Sequence, residues 1–112
     1  MKQTYTAVIE RAEPVTGVLA SEPYEAGWAE EALVFVKVRT GLPDDAELAV
    51  KVQISPDGID WIDHHAGVEA AVRGAGLVSI PVRDFGNWLR VAGTASDPEA
   101  LIRVSVYVVL KG

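Results

Sequence analysis

The stretch from Glu47 to Trp61 constrains this chain more than any other part of it. Leu48, Val50, Val52 and Ile54 alternate with Glu47, Ala49, Lys51 and Gln53. Successive side chains of a strand point to opposite faces, so this period of two gives one apolar and one mostly polar face. The run then enters Pro56-Asp57-Gly58, the chemistry of a tight reversal. Proline presets φ, aspartate bonds its own backbone, and glycine accepts positive φ. Trp61 follows in what reads as the returning strand, where a large flat side chain can cover the hairpin. The segment therefore predicts an antiparallel β protein and names no reaction.

The rest of the chain agrees with that class. Thr4 to Ile9 reads as a first strand, and Val15 to Leu19 as a weaker one. Ser21 to Gly27, with Pro23 and Gly27, reads as a loop. Ala32 to Thr40 is dense in β-branched residues, with Val34, Val36 and Val38 assigned to the core. Leu33 and Phe35 then lie on the opposite face, as a contact surface. Val68 to Gly76 reads as a loop or irregular strand. Leu77 to Val82 is a strand that Pro81 consigns to an edge or a bulge. Trp88 to Ala92 follows, and Ile102, Val104, Val106, Val108 and Leu110 alternate with Arg103, Ser105 and Tyr107 in a long final strand. About seven to eight strands separated by turns predict an all-β fold, an antiparallel β-sandwich of jelly-roll-like or Ig-like type. The 112 residues read as a single domain spanning 1–112.

Composition excludes several chemistries. With no cysteine there is no disulfide framework, no thiolate zinc site and no cysteine nucleophile. Sixteen Asp and Glu against ten Lys and Arg give a formal charge of −6, which opposes binding to a phosphate backbone. The cations suggest no local patch: Lys37 and Arg39 share one strand, and Arg83, Arg90 and Arg103 fall on others. The N-terminal residues lack the apolar core of a signal peptide, and the apolar run Val104 to Leu110 is too short to span a bilayer.

Asp60, Asp63, His64 and His65 form the one cluster of ligand-type residues. Adjacent strand residues point to opposite faces, so a solvated strand end is the favoured reading and no metal is expected there. No serine sits in a nucleophile elbow, and the pairs Glu30/Glu31 and Asp44/Asp45 read as solvated loop charges. No catalytic residue and no cofactor are expected. The aromatic residues are better candidates, since Trp28, Trp61 and Trp88 offer flat apolar faces. Trp61 and Trp88 read foremost as covers of the core, and Trp28, in a loop, as exposed.

The segment Gln53-Ile54-Ser55-Pro56-Asp57-Gly58-Ile59-Asp60-Trp61 resembles the Gln-x-Ser-x-Asp-Gly-x-x-Trp hairpin of small structural proteins of tailed bacteriophages. The loop Thr40 to Ala46 before it, the later Gly86-Asn87-Trp88-Leu89-Arg90-Val91 strand and the closing Lys111-Gly112 extend the resemblance over about Leu33 to Gly112. It implies a head-decoration or tail-accessory subunit, present in the virion or in the host cytoplasm during assembly. A more distant resemblance, on the same hairpin and the Arg-Val strand, is to discoidin-like and carbohydrate-binding sandwiches.

The expectation is a non-enzymatic protein that acts by protein–protein contact, with Trp28, Leu33, Phe35 and Tyr107 at the interface. Pro56, Asp57, Gly58 and Trp61 serve the turn. Its partners are other copies of itself, for example in a trimer, and other particle proteins, with neither nucleic acid nor membrane. The alternative is a carbohydrate-binding module that stacks a glycan on Trp28 and Trp88.

Overall fold

The computed structural model describes residues 3–112, with side chains for all of these but residues 12 and 13. Ten strands and no helix occur among them: β1 (Thr4–Thr16), β2 (Val18–Ala20), β3 (Tyr24–Glu25), β4 (Glu31–Thr40), β5 (Glu47–Ser55), β6 (Ile62–Asp63), β7 (Glu69–Arg73), β8 (Gly76–Arg83), β9 (Trp88–Ala95) and β10 (Leu101–Lys111). Every pairing is antiparallel. Sheet A runs β1-β10-β4-β8, and sheet B runs β2-β9-β5-β6, with β3 also on β9 and β7 also on β5.

The two sheets enclose one apolar core. Sheet A contributes Val34, Val36 and Val38 from β4 and Ile102, Val104, Val106, Val108 and Leu110 from β10, all buried. Sheet B contributes Leu48, Val50 and Val52 from β5 and Leu89 and Val91 from β9. These are the positions that the period-two pattern marks as inward. Burial of each such side chain stabilises by about 1.5–3 kcal/mol, which is what commits the alternating strands to this register.

Three segments depart from the sequence reading. The first strand extends beyond Ile9 to Thr16, because register shifts between Val8 and Glu10 and between Arg11 and Glu13 interrupt its alternation. Such bulges place an extra residue in one strand and hide the continuity from a periodicity count. The Ser21 to Gly27 loop contains β3. Val68 to Gly76 contains a regular strand, β7, in register with β5 from Glu47↔Arg73 to Lys51↔Glu69. The count is therefore ten strands, not seven or eight, the surplus being pieces of two to five residues.

The turn after β5 is built as its residues require. The Ser55 hydroxyl accepts from the backbone N–H of Asp57 at 3.2 Å and of Gly58 at 2.8 Å, and donates to Asp57 Oδ1 at 3.0 Å. Asp57 Oδ1 in turn accepts from the N–H of Ile59 and Asp60 at 2.8 and 3.0 Å. These backbone donors, then the Ser55 hydroxyl, hold the Asp57 carboxyl below its ordinary range. Gly58 has φ +79°, which a side chain rarely tolerates, and faces the ring of Trp88. The return strand β6 pairs Ile54↔Ile62 and Gln53↔Asp63, and Trp61 lies just before it.

Candidate interaction face

The outer side of sheet A brings together three of the four expected contact residues. Residues directly opposite each other in an antiparallel pair share a face. Phe35 on β4 stands opposite Tyr107 on β10, Tyr107 opposite Val8 on β1, and Phe35 opposite Ser79 on β8. The adjacent row runs Thr6, Val109, Leu33 and Pro81 across the same four strands. Phe35, Leu33, Tyr107 and Val109 are half-buried by one another, while Val8 and Leu77 are exposed. The apolar band thus crosses the whole sheet. Around Leu33, Pro81 and Val109 it dips into a depression of about 190 Å³ rimmed by Glu31, Arg83 and Lys111.

The far end of this face is basic. Arg11 lies opposite Ser105, and Ser105 opposite Lys37. Arg39 donates from Nε to the Ser105 hydroxyl at 2.8 Å and from its guanidinium to the Tyr107 hydroxyl at 3.3 Å. Arg103 alternates with the buried Ile102 and Val104 and projects from the same side. The sequence reading of dispersed cations is corrected in part: strands distant in sequence, laid side by side, gather Lys37, Arg39 and Arg103 with Arg11, while Arg83 stands at the other end of the face and Arg90 on sheet B.

The outer side of sheet B differs in kind. Arg90 Nε donates to Gln53 Oε1 at 2.8 Å, Gln53 Nε2 donates to Asp63 Oδ1 at 2.9 Å, and Lys51 Nζ reaches Asp63 Oδ2 at 2.9 Å. Gln53 first, then Lys51, holds the Asp63 carboxyl below its ordinary range. The Arg90 guanidinium lies 4.5 Å from the centre of the Trp61 ring, a cation–π contact that accounts for Trp61. The polar groups here satisfy one another, and the apolar side chains beside them are the exposed Val18 and the small Ala20, Ala49 and Ala71.

Trp28 belongs to neither sheet face. It follows β3 and, with Gln3, Thr4, Tyr5 and Tyr24, lines an open cleft of about 540 Å³. Tyr5 and Trp28 are about half exposed, at 55% and 48%. Burial, and secondarily the neighbouring Tyr5 phenol, pushes the Tyr24 phenol above its usual range. Sequence reading found Trp28 and missed its two tyrosine neighbours, which lie 23 and 4 positions away. Trp88 is not part of this cleft, since its ring packs on the Gly58 turn.

The Asp60, Asp63, His64 and His65 cluster does not form one site: the rings of His64 and His65 lie together, centroids 4.2 Å apart, contrary to the opposite-face expectation, while Asp63 is held by Lys51 and Gln53. His64 is buried, with Nε2 2.5 Å from the Arg83 carbonyl and Nδ1 accepting from the Ala66 N–H at 3.2 Å. With Nδ1 an acceptor, the proton sits on Nε2 and both ring nitrogens are engaged. His65 and Asp60 are exposed. Among the described residues no three His, Asp or Glu side chains stand where they could share a metal ion. No helix among them is long and apolar enough to cross a membrane.

The architecture recurs among solved structures. The SPBc2 prophage-derived protein YomS shares it at a TM-score of 0.61 and 9% identity, over 100% of this chain and 96% of that one. The PBSX exported protein XepA does so at 0.59 and 10% identity, over 98% of this chain and 36% of that one. A chain in the structure of the infectious bursal disease virus Gx strain matches at 0.61 and 8% identity, over 98% of this chain and 32% of that one. This chain thus spans about a third of the length of the last two, and at these identities the likeness is one of fold. No curated protein matches the chain in sequence. The match that extends to sequence covers the loop before β5 and everything after it: over residues 43–112 the chain belongs to the family described as Domain of unknown function (DUF6385).

Proposed function

We propose that this protein is a non-enzymatic structural subunit of a phage-like particle, of head-decoration or tail-accessory type, which docks on neighbouring subunits through the outer face of sheet A. The observation that carries the reading is the asymmetry of the sandwich. One outer face presents an apolar band of large side chains centred on Phe35 and Tyr107, and the other carries a hydrogen-bonded network of Lys51, Gln53, Asp63 and Arg90, with Val18 as its exposed large aliphatic at the β2 margin. An apolar band of this extent on a surface marks an interaction site. The fold shared with a prophage-derived protein supports the particle setting.

Size sets the mode of use. The outward residues of β4 run from Glu31 to Arg39, about 26 Å at ~3.3 Å per residue, and four strands span about 19 Å. A face on the order of 500 Å² is smaller than the ~800 Å² per partner of a standard stable interface. A single contact is therefore weak, and several copies acting together, as in a trimer or on a lattice of sites, would supply avidity. The test is light scattering together with co-sedimentation in particles formed from the neighbouring genes. Wild-type protein should self-associate with concentration or pellet with particles, and Phe35→Glu should do neither while melting within a few degrees of wild type. A wild-type protein that stays monomeric at high concentration and never pellets would defeat the reading, as would full retention by Phe35→Glu.

A second reading, a carbohydrate-binding module, is favoured by the Tyr5, Tyr24 and Trp28 cleft. Three aromatic faces beside the Gln3 amide and the Thr4 hydroxyl supply stacking and hydrogen bonding for a pyranose ring. In this geometry Trp28→Ala should abolish glycan-array binding and Trp88→Ala should leave it intact. Binding to no glycan would remove this alternative.

A further inference from the structure

The outer face of sheet A has a charge opposite to that of the whole molecule. Besides Arg103, which has an interaction of its own, five cations project from it: Arg11, Lys37, Arg39, Arg83 and Lys111. The described side chains set one carboxylate against them, Glu31, which Arg83 holds at 2.5 Å. Five against one gives these side chains a formal +4 on a chain of −6, so the remaining surface is more acidic than the total conveys. We infer that the occupant of this face is an acidic protein surface, an extended segment with carboxylates around a large apolar side chain.

The inference rests on the docking role proposed above and specifies the partner. Two copies brought together through this same face would oppose one positive field with another, and Glu31 is already committed. Like charge across an interface works against association, so a symmetric face-to-face dimer is disfavoured. A nucleic acid would find cations too, but the centre of the face is a closed apolar band in which Phe35 and Tyr107 half-bury each other. The net negative charge also slows the approach of a long polyanion. A protein segment answers both halves of the surface. Its apolar residue enters the depression over Leu33, Pro81 and Val109, and its carboxylates meet Lys111 at one end and Lys37 with Arg11 at the other.

The test uses fluorescence anisotropy on the full chain with three labelled probes: an acidic peptide of about ten residues with a central phenylalanine, its lysine counterpart, and single-stranded DNA. About eight residues span the face, which sets the peptide length. The acidic peptide should bind, weaken about tenfold as salt rises from low to physiological, and weaken at least as much in Lys37→Glu with Arg11→Glu. The lysine peptide and the DNA should not compete. Both positions are exposed, and thermal melts would confirm that the double variant folds. Absence of acidic-peptide binding at low salt, preference for DNA, or indifference to the charge reversal would each overturn the inference. If particles still retain the wild-type protein and release Phe35→Glu, the acidic partner fails and the docking face stands. If particles retain neither, the docking face itself fails.

Discussion

Replacing Ser55 by alanine tests whether the Ser-x-Asp-Gly segment is there for shape. The Ser55 side chain is buried and accepts two turn N–H groups, at 3.2 and 2.8 Å. Alanine removes this one acceptor and with it both bonds. At about 1 kcal/mol for each lost bond, the turn and the protein should lose about 2 kcal/mol. For a domain of this size that is a fall of roughly 8 °C in Tm, at about 4 °C per kcal/mol. Urea unfolding followed by tryptophan fluorescence measures it directly, because Trp61 and Trp88 flank the turn. The m-value should stay constant, since the change lies in the native state. A loss below about 0.5 kcal/mol with unchanged m would refute the reasoning. The segment would then need another explanation, such as contact with a ligand.

Three further outcomes are expected. Asp57 and Asp63 titrate below their unfolded value of about 3.9, so their stabilising effect is complete above that pH and is lost as pH falls through their lowered folded values. The urea midpoint should drop on acidification below about pH 4, and less so in Asp57→Asn, where the dependence on that carboxyl is gone. Leu48→Ala empties a fully buried position and should cost about 2–5 kcal/mol by chemical denaturation. Gly17→Ala should cost more than the ~1–2 kcal/mol of a left-handed alanine, because its Cβ would meet the Pro98 carbonyl oxygen at 2.4 Å; a thermal melt near wild type would contradict this.

Strands that carry their own alternation were legible in the sequence. β4, β5 and β10 each bury one face against the opposite sheet, and Val34, Val36 and Val38 face inward as the pattern demands. The edge position argued from Pro81 also holds, since β8 closes sheet A. What escaped was either short or long-range. β2, β3 and β6 are too brief to display a period, and bulges break the period of β1. The gathering of Phe35 with Tyr107 could be guessed from parity on two strands. The gathering of Arg11, Lys37 and Arg103 could not, because it depends on the order β1-β10-β4, in which sequence-distant strands are neighbours. The same holds for Tyr5, Tyr24 and Trp28, which meet because β1 and the β3 region converge from different sheets.

The margins of sheet A bear on whether further strands can add to it. Proline at position 81 has no amide hydrogen to lend to an incoming ribbon, and the opposite margin, β1, is interrupted by two register shifts. Neither border is a straight template onto which a further strand could zip. Edge-on growth of sheet A by added strands is thereby disfavoured, and if the protein docks as proposed, its broad outer side is left as the surface through which sheet A makes contact.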